Sequence, residues 1–148
     1  MNYQTLTYDT FLGPFNHVGV AVPDIGRAVT MYRDVFGVRN ITEPKAFPPQ
    51  GVTYAFVNLP GGQVELIEPY GEASPILKFL ERHPKGGQHH ICFEVKDIHA
   101  ASLAMSEKGV RVLDEPRIGA HGMPVVFLHP GDVGAVLIEL METPGGEH

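Results

Sequence analysis

Two histidines and two glutamates recur at nearly the same spacing in the two halves of the chain, and together they have the chemistry of a metal site. His90 follows His17 by 73 residues (90 − 17), and Glu139 follows Glu65 by 74 (139 − 65). Imidazole nitrogens combined with carboxylate oxygens suit divalent ions such as Zn²⁺, Co²⁺, Mn²⁺, Ni²⁺ or Fe²⁺. Four ligands on an octahedral ion leave two positions for a chelating substrate.

The repeat extends well beyond these four residues. Residues 16–29, NHVGVAVPDIGRAV, align with residues 89–102, HHICFEVKDIHAAS, and Asp24 falls on Asp97. Both segments predict a strand of alternating side chains followed by Asp-Ile at the start of a helix. The endings of the two halves also match, as VELIEP and IELMET. We therefore interpret the chain as two copies of one module, with a single insertion between the two offsets.

Only one of the two adjacent histidines in GGQHHICFEV has a counterpart of its own type. In the alignment His90 falls on His17, whereas His89 falls on Asn16. The repeat therefore selects His90 as the ligand and leaves His89 as its neighbour.

Each copy predicts a βαβββ module. For the first copy we expect a strand near 17–22, a helix near 25–36 with Asp24 as its N-cap and Gly37 as its stop, and strands near 38–42, 52–58 and 63–68. For the second copy we expect a strand at 89–95, a helix at 98–108 ended by Gly109, and strands near 110–114, 124–128 and 135–141. Between the copies, Ser74 and Pro75 are typical of a helix start, so a connecting helix is expected over 74–83.

The predicted fold class is α+β, with two tandem βαβββ modules forming a curved mixed sheet around a metal-binding cleft. We expect one domain over residues 16–142, comprising module 1 at about 16–69, the connecting helix at 74–83 and module 2 at about 88–142. Residues 1–15 are predicted to be an N-terminal extension, and residues 143–148 a tail. In a strand, alternate side chains share a face, so a pseudo-twofold axis brings the four ligands together in the cleft.

Composition and charge exclude several classes of partner. The chain has 148 residues and a formal net charge of −6, whereas general nucleic-acid binding needs a basic surface. No apolar run reaches the length of a membrane span, and the N-terminal sequence lacks the features of a secretory signal. The single cysteine, Cys92, suits a reducing compartment, and we expect it to be a small buried hydrophobe in a cytoplasmic protein.

Over residues 16–142 the sequence resembles the vicinal-oxygen-chelate superfamily, which includes glyoxalases, bleomycin-resistance proteins and dioxygenases. Within it the chain is most similar to the methylmalonyl-CoA epimerases, through the motifs NHVGVAVPD, VELIEPYGEASPILKFLE, GGQHHICFEV and IGAHGMPVVFLHP. The resemblance implies the paired βαβββ fold and a divalent metal. The family's ligands correspond to His17, Glu65, His90 and Glu139, and some members carry Gln at the position of Glu65.

The resemblance also implies a reaction and a set of roles. The expected reaction is epimerisation of a 2-substituted malonyl-CoA, with a methyl or ethyl substituent, by 1,1-proton transfer through a metal-stabilised enolate. Inversion requires two acid–base groups, for which Glu139 and Glu65 are the candidates. Tyr54 stands where some members have a glutamate and His121 lies in a glycine-rich loop, so both are candidate substrate contacts, although Tyr54 is more typical of a packed aromatic. The expected partners are an acyl-CoA and a second copy of the chain in a homodimer.

Two departures from the family pattern leave alternatives open. Met123 and Gly131 stand where family members commonly have lysines, which are natural partners of carboxylates or phosphates. A glyoxalase I-like lyase acting on another chelating substrate is one alternative, although the IGAHG and FLHP motifs favour the epimerases. An extradiol dioxygenase is a second alternative, but it needs only two His and one Glu on Fe²⁺, so the fourth ligand, Glu65, counts against it. A non-catalytic drug-binding module is a third alternative, and the presence of all four ligands distinguishes this chain from it because such a module needs no set of four metal ligands.

Overall fold

The computed structural model describes residues 11–144 as one eight-stranded mixed sheet with three α-helices. The predicted N-terminal extension and tail therefore lie largely outside the described residues. The elements in chain order are β1 (Phe15–Ala21), α1 (Ile25–Asp34), β2 (Lys45–Phe47), β3 (Val52–Leu59), β4 (Gly62–Pro69), α2 (Pro75–Arg82), β5 (Gly87–Val95), α3 (Ile98–Glu107), β6 (Arg117–Ile118), β7 (Pro124–Leu128) and β8 (Leu137–Glu142). None of the helices in this range is long and apolar enough to cross a membrane.

The strand order is β2-β3-β4-β1-β5-β8-β7-β6. Each module contributes four adjacent strands, and the two modules join where β1 pairs antiparallel with β5. Within the modules, β1 pairs parallel with β4, and β5 pairs parallel with β8. The predicted α+β fold with two βαβββ modules is confirmed, and α2 connects them as expected.

Equivalent acidic residues begin the first helix of each module. The side chains of Asp24 and Asp97 accept hydrogen bonds from backbone N–H groups of the first turn, at 3.0–3.1 Å. Glu68 and Glu142, at the ends of β4 and β8, accept from the first helical N–H at 3.1 and 3.2 Å. These bonds satisfy N–H groups that have no partner within a helix, and they tie each helix to the last strand of its module.

The strands predicted near 38–42 and 110–114 are wrong. In each segment the structure forms a single bridge, Ile41 to Val57 and Val112 to Leu128. The edge strand of each module begins later, directly after Pro44 or Pro116. Proline lacks the N–H that a continuous ladder needs, so pairing starts again only beyond it.

Helices α1 and α3 cover one face of the sheet, whereas α2 packs on the cleft face, where Ile76 contacts the cluster of Ala21, Val52 and Ile67. Leu66 packs in a core cluster with Ile25 of α1, and Leu140 packs with Ile98 of α3. Because side chains alternate along a strand, the residues preceding these leucines, Glu65 and Glu139, face the opposite side.

Candidate metal centre

The four predicted ligands meet on the four central strands. His17 lies on β1, Glu65 on β4, His90 on β5 and Glu139 on β8, and all four are buried. The Nε2 atom of His17 is 3.0 Å from Oε1 of Glu139 and 3.2 Å from Nε2 of His90. Oε1 of Glu65 is 3.5 Å from Nε2 of His90 and 3.9 Å from that of His17. The pseudo-twofold arrangement thus brings together all four side chains.

The other ring nitrogen of each histidine is already occupied. Nδ1 of His17 is 2.7 Å from Oδ1 of Asn16, whose amide nitrogen donates to Glu94 at 3.1 Å. Nδ1 of His90 is 2.8 Å from Nδ1 of His89. Burial and the neighbouring His90 lower the pKa of His89 to about 4, so its imidazole is neutral at pH 7. The Nε2 atoms of His17 and His90 therefore face the carboxylates.

This donor set fits a divalent cation. Two ligands about 2.1 Å from one ion and at right angles to each other are about 3.0 Å apart, close to the shortest separations in the cluster. Oε1 of Glu139 is buried and has no hydrogen bond from the described residues, although it is 3.0 Å from Nε2 of His17. A buried acceptor without a donor is rare in proteins. A cation shared by these atoms would compensate both carboxylates.

The pKa values reflect the same crowding of negative charge. Burial alone would lower the pKa of His90, but the neighbouring carboxylates of Glu139 and Glu65 outweigh it and raise the pKa to about 9. Burial alone would raise the pKa of Glu139, but His17 and His90 outweigh it and lower that pKa well below its usual range. The cluster therefore attracts positive charge and keeps Glu139 ionised.

A glycine makes room for the His90 ring. Gly19 pairs with His90 across the β1–β5 ladder, and a Cβ atom at Gly19 would overlap the imidazole. The equivalent residue of the second module, Cys92, pairs with His17. Cys92 is fully buried, and burial raises its thiol pKa, which agrees with the prediction of an unreactive side chain.

His121 reaches across from the second module to the first. Its ring stacks between His17 and Phe56, with centroid distances of 4.5 and 4.4 Å. Its Nε2 atom is 2.6 Å from Oε1 of Gln63, and its Nδ1 atom is 3.7 Å from Oε2 of Glu65. Burial lowers the pKa of His121 despite the nearby carboxylate. The structure thus places His121 beside a predicted ligand, and its contact with substrate stays a prediction.

Tyr54 packs among aromatic and apolar side chains. Its ring centroid is 4.9 Å from that of Phe56 and 6.3 Å from that of Phe47, and it lies against the cluster that includes Val52 and Ile76. Tyr54 is not among the residues that line the cavity beside the candidate centre, which is described below. A role for Tyr54 in binding substrate remains a prediction.

A cavity of about 390 Å³ adjoins the candidate centre. Glu65, His90 and Glu139 form part of its lining, and Arg117 on β6 adds a cation that pairs with Asp114. The remaining lining residues are Gln50, Val52, Ile67, Pro75, Ile76, His89, Leu113, Glu115, Val125, Val126, Phe127 and Leu137. The chamber is therefore mainly apolar, with the candidate ligands on one side.

The two positions that depart from the lysine pattern have different surroundings. Met123 packs against the apolar cluster of Cys92, Val125 and Met141. Gly131 is exposed and lies in a turn beside a bidentate ion pair between Arg111 and Asp132. In this pair Nε and Nη2 of Arg111 donate to the two carboxylate oxygens at 2.8 and 3.1 Å. A cation is thus present near Gly131, but it comes from another segment.

Several residues of the centre were not predicted from the sequence. Asn16 and His89, which contact the imidazoles of the predicted ligands His17 and His90, occupy equivalent positions of the repeat. Their equivalence in the repeat was the signal that the sequence offered. It does not reveal their contacts with the imidazoles, because the position of a residue in a strand gives no indication that its side chain touches that of the next residue. Gly19 lies within a family motif and Gln63 does not, but only the paired strands reveal why either residue matters.

Comparison with known proteins identifies the family of the chain. The family model described as Glyoxalase/Bleomycin resistance protein/Dioxygenase superfamily matches residues 16–127. The ethylmalonyl-CoA/methylmalonyl-CoA epimerase of Cereibacter sphaeroides is 50% identical over 131 residues, which cover 87% of this chain and 97% of that protein.

Solved structures agree at the level of the fold. The crystal structure of methylmalonyl-CoA epimerase from Mycobacterium tuberculosis superimposes with a TM-score of 0.86 at 30% identity, covering 97% of each chain. A variant of the Streptomyces coelicolor methylmalonyl-CoA epimerase, in complex with 2-nitronate-propionyl-CoA, gives 0.83 at 34% identity, covering 93% of this chain and 99% of that one. The chain therefore belongs to the Glyoxalase/Bleomycin resistance protein/Dioxygenase superfamily and, within it, to the methylmalonyl-CoA epimerase family, as its motifs predict.

Proposed function

We propose that this protein is a metal-dependent epimerase of 2-substituted malonyl-CoA thioesters, with methylmalonyl-CoA or ethylmalonyl-CoA as substrate. The observation that carries the proposal is the convergence of two imidazole nitrogens, 3.2 Å apart, with two carboxylates whose oxygens lie 3.0–3.9 Å from them, beside a mainly apolar cavity. The relative from Cereibacter sphaeroides, named for both substrates, supports this assignment.

His17, Glu65, His90 and Glu139 would hold the divalent ion. When bound, an ion of this kind supplies Lewis acidity, which withdraws electrons from the substrate's carbonyl oxygens and makes the proton between them easier to remove. The mixed nitrogen and oxygen donors suit Co²⁺, Mn²⁺, Zn²⁺, Ni²⁺ or Fe²⁺.

Two carboxylates of the chain are available to move the proton. Glu139 lines the cavity and is ionised at neutral pH, so it has a free carboxylate form that could accept the proton. Glu65 lines the same cavity from the other module. Inversion requires removal of the proton on one face of the carbon and its return on the other, and two carboxylates from opposite modules match this requirement.

The apolar lining suits a short 2-alkyl group. Val52, Ile67, Val125 and Phe127 surround the space next to the carboxylates. An apolar pocket discriminates a single methylene by only about 1–3 kcal/mol. We therefore expect the methyl and ethyl substrates to differ in kcat/KM by no more than about 200-fold.

A panel of substrates tests the proposal. The metal-loaded and chelator-treated proteins would each be incubated with single epimers of methylmalonyl-CoA and ethylmalonyl-CoA, and with the glutathione hemithioacetal of methylglyoxal. Chiral chromatography and thioester absorbance then follow inversion and isomerisation. Metal-dependent inversion of either acyl-CoA supports the proposal, whereas turnover of the hemithioacetal alone would replace it with a glyoxalase I-like activity.

Three further features belong to the same proposal. We propose that the active form is a homodimer, and the exposed apolar side chains Val35 and Phe36 beyond the end of α1 offer surface for association. A cytoplasmic location agrees with one reduced, buried cysteine. Residues 16–142 are proposed as the domain, and light scattering together with limited proteolysis tests the assembly and its boundaries.

A further inference from the structure

Both strands that carry the histidine ligands contain a register shift, and in each case the extra residue is the one before the ligand. Along β1, Phe15 and His17 pair with the consecutive residues Phe93 and Cys92, so Asn16 is the extra residue. In the other direction, the partners of Gly19 and Val20 are His90 and Gln88, so that β5 carries an extra residue at His89. The two irregularities occupy equivalent positions of the repeat.

A bulge of this kind changes which side chains can meet. In a regular strand, neighbouring side chains point to opposite faces and do not touch. A bulge interrupts this alternation and redirects a side chain. The result is the same in both modules, since Oδ1 of Asn16 lies 2.7 Å from Nδ1 of His17, and Nδ1 of His89 lies 2.8 Å from Nδ1 of His90.

The chemistry of these contacts defines the tautomer of each ligand. A neutral imidazole that binds a metal through Nε2 carries its proton on Nδ1 and must donate it. Asn16 can accept that proton through Oδ1, because its amide nitrogen already donates to Glu94 at 3.1 Å. Two Nδ1 atoms 2.8 Å apart can share only one proton, so when His90 donates through Nδ1, His89 accepts through its Nδ1 lone pair and carries its own proton on Nε2.

His89 is itself held in place by an aromatic neighbour. Its ring meets Phe79 of α2 edge to face, with centroids 5.2 Å apart. The helix that connects the modules therefore supports the His89 ring, as Glu94 supports the amide of Asn16. Different side chains give the two ligands the same kind of support.

We propose that Asn16 and His89 are paired positioning residues, placed by two equivalent β-bulges, which hold His17 and His90 in the tautomer that presents Nε2 to the metal. The inference rests on the proposed metal-dependent function. It assigns to His89, the first histidine of the HH pair, a role that the ligand set alone does not require.

The test compares two variants of His89. His89→Asn keeps a side-chain acceptor and copies the arrangement of the first module, whereas His89→Leu removes the acceptor. We expect His89→Leu to weaken Zn²⁺ binding by about 10- to 100-fold in competition with a fluorescent chelator, because partners of ligand histidines typically have effects of this size. His89→Asn should stay within about threefold of the wild type, since an acceptor remains.

Nuclear magnetic resonance supplies a readout that a merely structural role would not change. In the zinc-loaded wild type, the Nδ1 proton of His90 should exchange slowly with water and give a resolved signal. That signal should disappear in His89→Leu and return in His89→Asn. His83→Leu is the matched control, because His83 also packs on Phe79, at 4.6 Å, but contacts no ligand.

Each outcome either supports or contradicts the proposed positioning role of Asn16 and His89. Wild-type zinc affinity and an unchanged Nδ1 signal in His89→Leu would overturn the inference while leaving the proposed function intact. Failure of the wild type itself to bind any of the candidate metals would overturn both. If His89→Leu does not fold, Asn16→Leu provides the same comparison through His17, with the same expected loss of affinity and the same contradicting result.

Discussion

Each module contributes one histidine and one glutamate to the candidate metal centre, whereas the cavity beside that centre draws on the two modules unequally. Four lining residues come from the first module, two from the start of α2, and eleven from the second module. The segment around β6, which includes Arg117, has no counterpart lining the cavity from the first module.

This difference corresponds to two separate requirements of the proposed reaction, metal binding and substrate binding. An ion with mixed nitrogen and oxygen ligands can be held by two copies of the same module, because each copy supplies the same donors. A thioester with a carboxylate at one end and a large CoA group at the other has no such symmetry. We infer that repetition of the module accounts for the ligands of the candidate metal centre, whereas divergence of the second module accounts for most of the residues that line the substrate cavity.

The largest expected effect comes from breaking the match between the two glutamates. Glu139→Gln should lower the rate of α-proton exchange by about 10²–10⁴-fold, because it removes the proposed base. In Glu65→Gln, α-proton exchange should stay within about tenfold of the wild type, since an amide oxygen can still bind a metal, whereas inversion should fall by about 10²–10⁴-fold because the second proposed acid–base group is lost. Exchange and inversion rates of both metal-loaded variants test this asymmetry, and equal losses of exchange would contradict it.

The next effect concerns the space around the two histidines. Gly19→Ala should weaken metal binding by about 10- to 100-fold, a range typical when the orientation of a ligand is disturbed, because the new Cβ atom overlaps the His90 ring. The equivalent change in the second module, Cys92→Ala, removes only a buried sulfur and should leave metal affinity nearly unchanged. Chelator competition measures both, and an unperturbed Gly19→Ala variant would show that His90 has freedom to move.

Metal removal should weaken the junction between the modules. A ligand present at 100 times its Kd stabilises the folded state by about 2.7 kcal/mol, which corresponds to a shift in Tm of roughly 5–10 °C for a chain of this size. The amides of β1 and β5 should lose the most protection, since these strands carry the predicted histidine ligands and pair with each other where the two modules join. Calorimetry and hydrogen exchange, with and without chelator, test this; uniform loss of protection would contradict it.

The smallest effect concerns an ion pair of the second module. Arg111 lowers the pKa of Asp132 well below its usual range through hydrogen bonds and charge. A lowered carboxyl pKa stabilises the folded state fully above the unfolded-state value, and this contribution is lost as the pH falls through the folded-state value. The advantage over Asp132→Asn should therefore be present at pH 7 and decline only below about pH 4.

The pair is exposed to solvent, so the advantage should be small and sensitive to salt. Metal affinity should not change in Asp132→Asn, because this pair contacts neither ligands nor cavity. Thermal unfolding at several pH values measures the difference. A larger advantage at pH 3 than at pH 7 would show that the sign is wrong.

The sequence predicted the features that the repeat duplicates. The two-module sheet and the helix starts at Asp24 and Asp97 follow from residue types at fixed offsets, and the family follows from the resemblance of its motifs. The edge strands were misplaced because Ile41 and Val112 alternate like strand residues, while Pro44 and Pro116 decide where pairing resumes. The bulges at Asn16 and His89 could not be predicted, since they depend on the partner strand rather than on local sequence.

The most direct test of metal-dependent epimerisation is proton NMR of the protein with (2R)-methylmalonyl-CoA in D₂O. We predict that the α-proton signal disappears and the carbon is inverted when metal is loaded, and that both changes stop after chelation and resume when the metal is restored. No exchange by the metal-loaded protein, or equal exchange by the chelated protein, would contradict the account.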